Sequence, residues 1–332
     1  MTSDPLVAIV DKEVADETIA SLKAEDRYDA NREIREAGAD TLALPITEAP
    51  AHTSVEAVDI DGDPAYRVRD LDDYLEARGF SPEERACVPG SWAVLGTVIL
   101  AKFDDCPREA EVGEAMLDLH GNVDTVLAHE GIDGEHREPS VRVVAGAGDT
   151  ETIHHEHGTA YAMDLANVMF SPGNVAERVR MGEVVDPGEQ VFDMFAGIGY
   201  FTLPMARNGA EVTATERNPV AFRYLLENAV LNDVSEVIDA YRADCRSIRP
   251  RVDRVVMGYY DAHEYLDAAV SALRPHGTIH LHDVGPADDP YERGIGALEA
   301  ASESFSIQNR RIVKTHSPGM VHVVIDAAHR SG

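Results

Sequence analysis

Residues 193–201, Asp-Met-Phe-Ala-Gly-Ile-Gly-Tyr-Phe, join an apolar stretch to a helical one through two glycines set one residue apart. Gly197 and Gly199 let a backbone turn tightly and approach a ligand that a Cβ would hold off. Asp193 stands just before the turn, where its carboxylate can hold loop amides or an ammonium group, and Phe195 lies within the loop. A Gly-x-Gly alone is equally a plain tight turn. Position 202 is Thr, so the third glycine of dinucleotide-binding loops is missing, which argues against a pyrophosphate resting on the helix N-terminus. Thr215-Glu216 closes the next apolar segment, where an acid can accept both ribose hydroxyls of an adenosine. Asp244-Cys245 closes the one after, within reach of an adenine amino group. Each acid taken singly reads as a solvated loop residue. Three of them, ending three successive strands, describe a site for a cationic nucleoside rather than for phosphates. S-adenosylmethionine (SAM), used as a co-substrate, fits that description, and Thr202 disfavours an NAD(P)-dependent oxidoreductase.

Those acids need strands that end on one edge, and the chain from about Asn167 supplies them. VFDMF (191–195), EVTATE (211–216), VIDAYRAD (237–244), DRVVMGY (253–259) and TIHLHDV (278–284) read as strands, with helices at 200–208, 219–233, 263–274 and about 290–303. FSIQNRRIVKT and MVHVVIDA read as a closing antiparallel pair. Alternating strands and helices imply a Rossmann-like, doubly wound α/β sheet with its ligand at the strands' C-terminal ends. The chain divides into three regions: 1–78, an accessory region with an acidic linker at 50–73; 79–165, a smaller α/β domain; and 166–332, the nucleoside-binding domain. In the first, 6–10 and 41–46 read as strands and 13–25 as a helix. In the second, LGTVILAKF (95–103) reads as one strong strand, 107–119 as a helix, and short strands follow near 123–129, 140–145, 150–156 and 159–164.

Sixty acidic residues face twenty-nine basic ones, a net charge of −31, and only Lys12, Lys23, Lys102 and Lys314 are lysines. The acids are spread through periodic, foldable sequence, unlike an acidic tail. Such a surface suits a high-salt cytoplasm, where a Debye length of about 3 Å at 1 M removes the self-repulsion. A halophilic source is the expectation, and net charge then says nothing against a nucleic-acid partner. Cys87, Cys106 and Cys245 lie far apart without a CxxC, which points to neither a disulfide framework nor a zinc site. No run of eighteen apolar residues occurs and the first residues lack a signal peptide's pattern, so a cytosolic protein away from membranes is expected.

Two further clusters stand out. His154-His155-Glu156-His157 offers three ligand types, but neighbouring strand residues point to opposite faces, so a shared metal is not expected. Arg242, Arg246, Arg249, Arg251 and Arg254 form a basic run that reads equally as a phosphate-contacting row or a solvated surface. A non-catalytic RNA-binding protein is disfavoured, because RNA binding needs no ribose-holding acid.

Several segments resemble a known family. MFSPGNVAER (169–178), DMFAGIGYFTLP (193–204), NAVLN (228–232), DRVVMGYYDAHEYLDAA (253–269), GTIHLHD (277–283) and KTHSPGMVHVVIDA (314–327) look like the archaeal and eukaryotic enzymes that modify the guanine just 3′ of the tRNA anticodon. That group holds a guanine N1-methyltransferase and the wybutosine-pathway aminocarboxypropyltransferase. The resemblance spans residues 85–327 and fades before residue 50. Methyltransferases of the group carry an Asn-Leu-Pro-type tripeptide after the fourth strand. This chain has Met257-Gly258-Tyr259 there, and like its SPGN run (171–174) this is similar to the aminocarboxypropyl branch.

The resemblance implies that SAM's γ-carbon, not its methyl, meets a carbon of 4-demethylwyosine at position 37 in the anticodon stem-loop of tRNA(Phe). It also implies that Ser171 and Arg178 contact the methionine end, where a guanidinium can hold a carboxylate. Met257, Gly258 and Tyr259 would line the acceptor-base pocket, with Tyr259 stacking on a flipped base. On its residues alone Tyr259 reads equally as core, and Arg178 as a helix-surface arginine. No general base stands out, positioning alone can carry much of the rate, and a monomer is favoured.

Overall fold

A computed structural model describes residues 5–67, 70–134 and 138–330. They divide into two compact units, Met1–Ser81 and Pro82–Gly332.

In the first unit, Leu6–Asp11 lies between Thr41–Ile46 and Ala57–Ile60 in a small antiparallel sheet, with Arg35–Glu36 at the far edge. The helix Ala15–Ala24 buries Ala15, Thr18 and Leu22, spaced to share one face. Leu22 packs with Ala8, Val10, Leu44 and Ile46. The expected linker at 50–73 is therefore partly strand. All four residues of Ala57–Ile60 are exposed. Backbone pairing to Leu6–Ile9, not burial, carries that strand, so there is no apolar alternation to read. Buried Arg32 ties the ends of these strands together, donating to the Leu6 and Ile46 carbonyls (both 2.7 Å) and to Asp61 (3.2 Å).

The second unit begins with a four-stranded sheet in the order Trp92–Leu95, Val98–Ala101, Thr125–Asp133, Glu138–Gly146, with the helix Glu109–Leu119 packed on its last two strands. The single strand expected over 95–103 is a hairpin instead. Leu95 pairs with Val98 across Gly96-Thr97, and Gly96 takes φ +58°, a left-handed backbone that glycine adopts without strain. A Cβ on Gly96 would also lie 2.5 Å from the Ile153 carbonyl oxygen.

The nucleoside-binding sheet has seven strands: β1 (Gln190–Asp193), β2 (Glu211–Thr215), β3 (Ile238–Tyr241), β4 (Val252–Met257), β5 (Leu273–Pro286), β6 (Phe305–Ser317) and β7 (Met320–His329). Their spatial order is β3-β2-β1-β4-β5-β7-β6, parallel through β5, with β7 antiparallel to both its neighbours. Strand order reverses between β1 and β4, the point where open α/β sheets leave a crevice at their carboxyl edge. Neighbouring residues feed opposite cores: Val191 and Val256 join one apolar cluster, Phe192 and Val255 the other. The hairpin Glu151–Glu156/Thr159–Asp164 is held by the helix Pro219–Leu231 and the residue after it. Asn228 pairs with both amide and carbonyl of Ala162 (2.7 and 3.0 Å), and Asn232 with those of Ala160 (2.9 and 2.7 Å). Two asparagines four apart on one helix face thus stand in for a neighbouring strand.

Candidate nucleoside-binding site

A cavity of about 740 Å³ opens at the carboxyl edge of the parallel strands. Seven of the expected cofactor residues line it: Ser171, Arg178, Phe195, Gly197, Glu216, Asp244 and Cys245. Gly258 and Tyr259 line it as well. Asp193, Gly199 and Met257 are not among its lining residues. Met257 is fully buried in the core beneath, and Gly199, at φ +105°, brings the loop against Leu203 and Leu225.

Asp193 is fully buried and holds the loop from behind. It accepts a hydrogen bond from the Thr202 hydroxyl (2.7 Å) and a longer one from the Phe195 amide (3.3 Å). Burial raises its pKa to about 6, although those two hydrogen bonds pull the other way. Thr202, which at sequence level marked only a missing glycine, is the partner that keeps this carboxyl satisfied.

Glu216 faces the cavity and ties two turns together, accepting from Gly197 N (2.9 Å) and Asn218 N (2.6 Å). A carboxylate has about four lone-pair sites, so the same group can accept ribose hydroxyls as well. Gly197 sits at φ +57°, and a Cβ there would lie 2.4 Å from the Tyr200 ring. Asp244 caps the turn after β3 and closes on Arg246, which donates from its backbone N (2.9 Å), Nε (2.9 Å) and Nη2 (2.7 Å). The Arg246 side chain holds the Asp244 pKa at about 2. Beside it, burial pushes the Cys245 thiol up to about 12, which leaves it uncharged.

The wall opposite the loop is the segment Ser171–Asn174 and the helix Val175–Glu183. Arg178 is buried and committed: Nε and Nη2 grip Glu156 (both 2.7 Å), and Nη1 donates to the Ser171 carbonyl (2.9 Å). It fixes the shape of that segment while lining the cavity, and these three bonds use three of the guanidinium's five N–H donors. Glu156 belongs to the His154–His157 run, and His154 also bonds it at 3.2 Å. Burial alone would raise the Glu156 pKa, but His154 and Arg178 outweigh that and lower it. Three further cavity residues were not among the expected site residues. Lys314 donates to the Ser171 hydroxyl, Lys102 lines the opening, and the Asn174 Oδ1 is buried without a partner among the described residues. That orphaned acceptor suits an ammonium group, and together with Glu216 it makes the cavity fit a nucleoside bearing an amino-acid side chain.

The basic run is largely absorbed by the chain itself. Arg246 holds Asp244, Arg249 donates to the Ile248 carbonyl (3.0 Å), and Arg254 binds Glu189 (2.9 Å), the Val184 carbonyl (2.8 Å) and His280. These three arginines do not form a phosphate row.

Residues 71–150 match the family model described as the TYW2 N-terminal domain, and 152–309 the TRM5/TYW2 methyltransferase domain. Among curated relatives, a Pyrococcus horikoshii tRNA(Phe) (4-demethylwyosine(37)-C(7)) aminocarboxypropyltransferase is 37% identical over 256 residues, covering 74% of this chain and 91% of that one. A Pyrococcus abyssi tRNA (guanine(37)-N(1))-methyltransferase Trm5b is 33% identical over 264 residues, covering 76% and 79%. Of solved structures, P. horikoshii TYW2 in complex with MeSAdo aligns at TM-score 0.67 and 34% identity over 77% of this chain and 97% of its own. P. abyssi Trm5b aligns at TM-score 0.77 and 29% identity over 98% and 99%. A doubly wound sheet with this loop, this ribose-side acid and these relatives has one assignment: the chain belongs to the TRM5/TYW2 family of SAM-dependent tRNA-modifying enzymes.

Proposed function

We propose that the protein transfers the 3-amino-3-carboxypropyl group of SAM to carbon 7 of 4-demethylwyosine at position 37 of tRNA(Phe), releasing 5′-methylthioadenosine. The observation that carries this reading is the cavity wall after β4. Gly258 has no side chain there and Met257 is buried beneath, so these two positions offer no amide side chain to a guanine ring edge. Such a wall suits a carbon acceptor.

The chain's own groups then have defined tasks. Glu216 holds the ribose, the Gly197 turn lets the nucleoside approach, and the Arg178-fixed segment 171–174 shapes the opposite wall. The acceptor carbon bonds to the γ-carbon as the C–S bond breaks. The electron pair returns to sulfur, which leaves as a neutral thioether, and the ring carbon then gives its proton to solvent. Alignment within about 3–3.5 Å can supply much of the rate. The acceptor reaches the cavity as part of the anticodon stem-loop, and the enzyme works as a monomer in a saline cytoplasm, for which its −31 charge suits it. No helix among the described residues is long and apolar enough to cross a membrane.

A second reading has one observation behind it. The Trm5b structure aligns with 98% of this chain, the TYW2 structure with 77%, so more of the chain has a counterpart in a methyltransferase. SAM labelled in the carboxyl or in the methyl group separates the two. Carboxyl label on the tRNA is expected; label arriving only from the methyl would sink the proposal.

A further inference from the structure

Two aromatic groups line the cavity. Phe195, Tyr259 and Tyr265 form the first: Phe195 lies 5.2 Å from Tyr259 and 5.1 Å from Tyr265, and the two tyrosines 6.4 Å apart. Arg246, the partner of Asp244, stands 4.8 Å over Tyr265. This group therefore belongs to the side where the adenosine acids are. The second group forms from the loop after β4 and from β5, β6 and β7. Tyr260 meets His316 at 4.9 Å and His322 at 5.0 Å, both edge to face, and His322 lies 5.2 Å from His282. Phe201 backs His282 at 5.1 Å. Tyr260, His282, His316 and His322 all line the cavity, and none has a task in the transfer of the aminocarboxypropyl group.

Their chemistry favours a flat, uncharged guest. His282 Nδ1 and His322 Nε2 are 3.0 Å apart, so a single proton joins the two rings. Burial drives both pKa values down, to about 3 and about 2, and both imidazoles are neutral at working pH. The pair's outer nitrogens, His282 Nε2 and His322 Nδ1, have no partner among the described residues, a condition that recurs where a ligand completes a site.

We infer that Tyr260 and His316 receive the acceptor base, a purine-derived ring turned out of the RNA, and that Tyr259 belongs to the cofactor half. The inference rests on the proposed aminocarboxypropyl transfer to tRNA. Aromatic side chains hold unstacked bases in this way, and each stacked base is lost with the ring that carries it.

The test uses the full chain with a tRNA(Phe) substrate, and a second tRNA carrying 2-aminopurine at the acceptor position. Tyr260→Ala should lower kcat/KM for tRNA about 10- to 100-fold while the Kd for SAM stays within about twofold. Tyr260→Phe should restore most of the loss. His316→Ala, at an exposed position that leaves the core intact, should shift tRNA kinetics the same way by a smaller factor. Tyr259→Ala should instead weaken SAM. Quenching of 2-aminopurine on binding should disappear in Tyr260→Ala and persist in Tyr259→Ala. Unchanged quenching in Tyr260→Ala, or equal losses of SAM and tRNA affinity, overturns the inference. If the wild type moves no carboxyl label to tRNA, the proposed reaction falls, while the quenching contrast still decides where the base sits.

Discussion

Asp193→Asn and Glu216→Gln should have opposite consequences, although sequence places the two acids in one constellation. Asp193 is buried, and its pKa rises to about 6 from an ordinary 3.8. At 1.36 kcal/mol per pH unit, that rise corresponds to about 3 kcal/mol. The protonated acid therefore favours the fold below about pH 4, and that advantage is lost as pH rises through about 6. At pH 8 the ionised, desolvated carboxylate is a burden that the amide removes. The amide also weakens the Thr202 and Phe195 hydrogen bonds, at a cost of about 1 kcal/mol that pH does not change. Urea unfolding at constant molar salt should then show Asp193→Asn gaining on the wild type by about 2–3 kcal/mol between pH 4 and 8. Its Kd for SAM should stay within about threefold, because Asp193 does not line the cavity. Glu216→Gln turns an amide towards the Gly197 or Asn218 N–H and removes the charge that receives the ribose. SAM affinity should fall about 10- to 100-fold, as expected for losing a charge-assisted hydrogen bond. A stability difference for Asp193→Asn that is flat with pH would refute the desolvation argument. A collapse of SAM binding in that variant, with folding intact, would put Asp193 against the ligand.

Asn228→Ala removes bonds to Ala162 N, Ala162 O and Ile198 O and leaves buried backbone groups unpaired, so unfolding free energy should drop by about 2–4 kcal/mol in denaturant titrations. Glu156→Gln breaks the pair with buried Arg178 and should cost about 3–5 kcal/mol. Because the folded-state pKa of Glu156 is lowered, the pair's stabilisation is present above about pH 4.5 and lost as pH falls below it, so the two proteins should converge in acid. Lys102, exposed at the opening and without an ion-pair or hydrogen-bond partner among the described residues, is placed to meet an RNA phosphate. Lys102→Gln should reduce the slope of log K for tRNA against log salt by about 1, and an unchanged slope would exclude the contact.

Where one residue type at a fixed period decides the element, sequence and structure agree. The central strands β1 and β4 are short apolar runs closed by an acid or a glycine, and a parallel sheet buried on both faces demands such runs. The strand Ala57–Ile60 escaped because its four exposed residues carry no alternation, and the hairpin at Gly96 because apolar residues flank the turn without a break. The site divides the same way. Residues that local geometry brings to the cavity, such as Gly197 and Glu216, were readable from their place at a strand end. The pairing of Arg178 with Glu156, 22 residues away, had no local signal, because no local pattern announces an ion pair between distant elements. His322 and His282 likewise come together only through the antiparallel pairing of β7 with β5.

The roles of the three acids change how selectivity must arise. If Asp193, Glu216 and Asp244 all presented bare carboxylates to a sulfonium, charge would dominate binding. Instead Asp244 is neutralised by Arg246, Asp193 is desolvated behind the loop, and Glu216 is already braced by two amides. Asp193 and Glu216 set the loop's shape, while Asp244 caps the turn after β3. Electrostatic attraction to a cation is weakly directional and cannot choose between a methyl and a γ-carbon on one sulfur. Shape can. The Phe201 ring fills the space beside Gly258, where a Cβ would lie 2.7 Å from its edge. On the proposed placement of the acceptor base, the group transferred would be decided by which sulfonium substituent this close-packed wall turns towards Tyr260 and His316, not by the charge of the constellation that first marks the site.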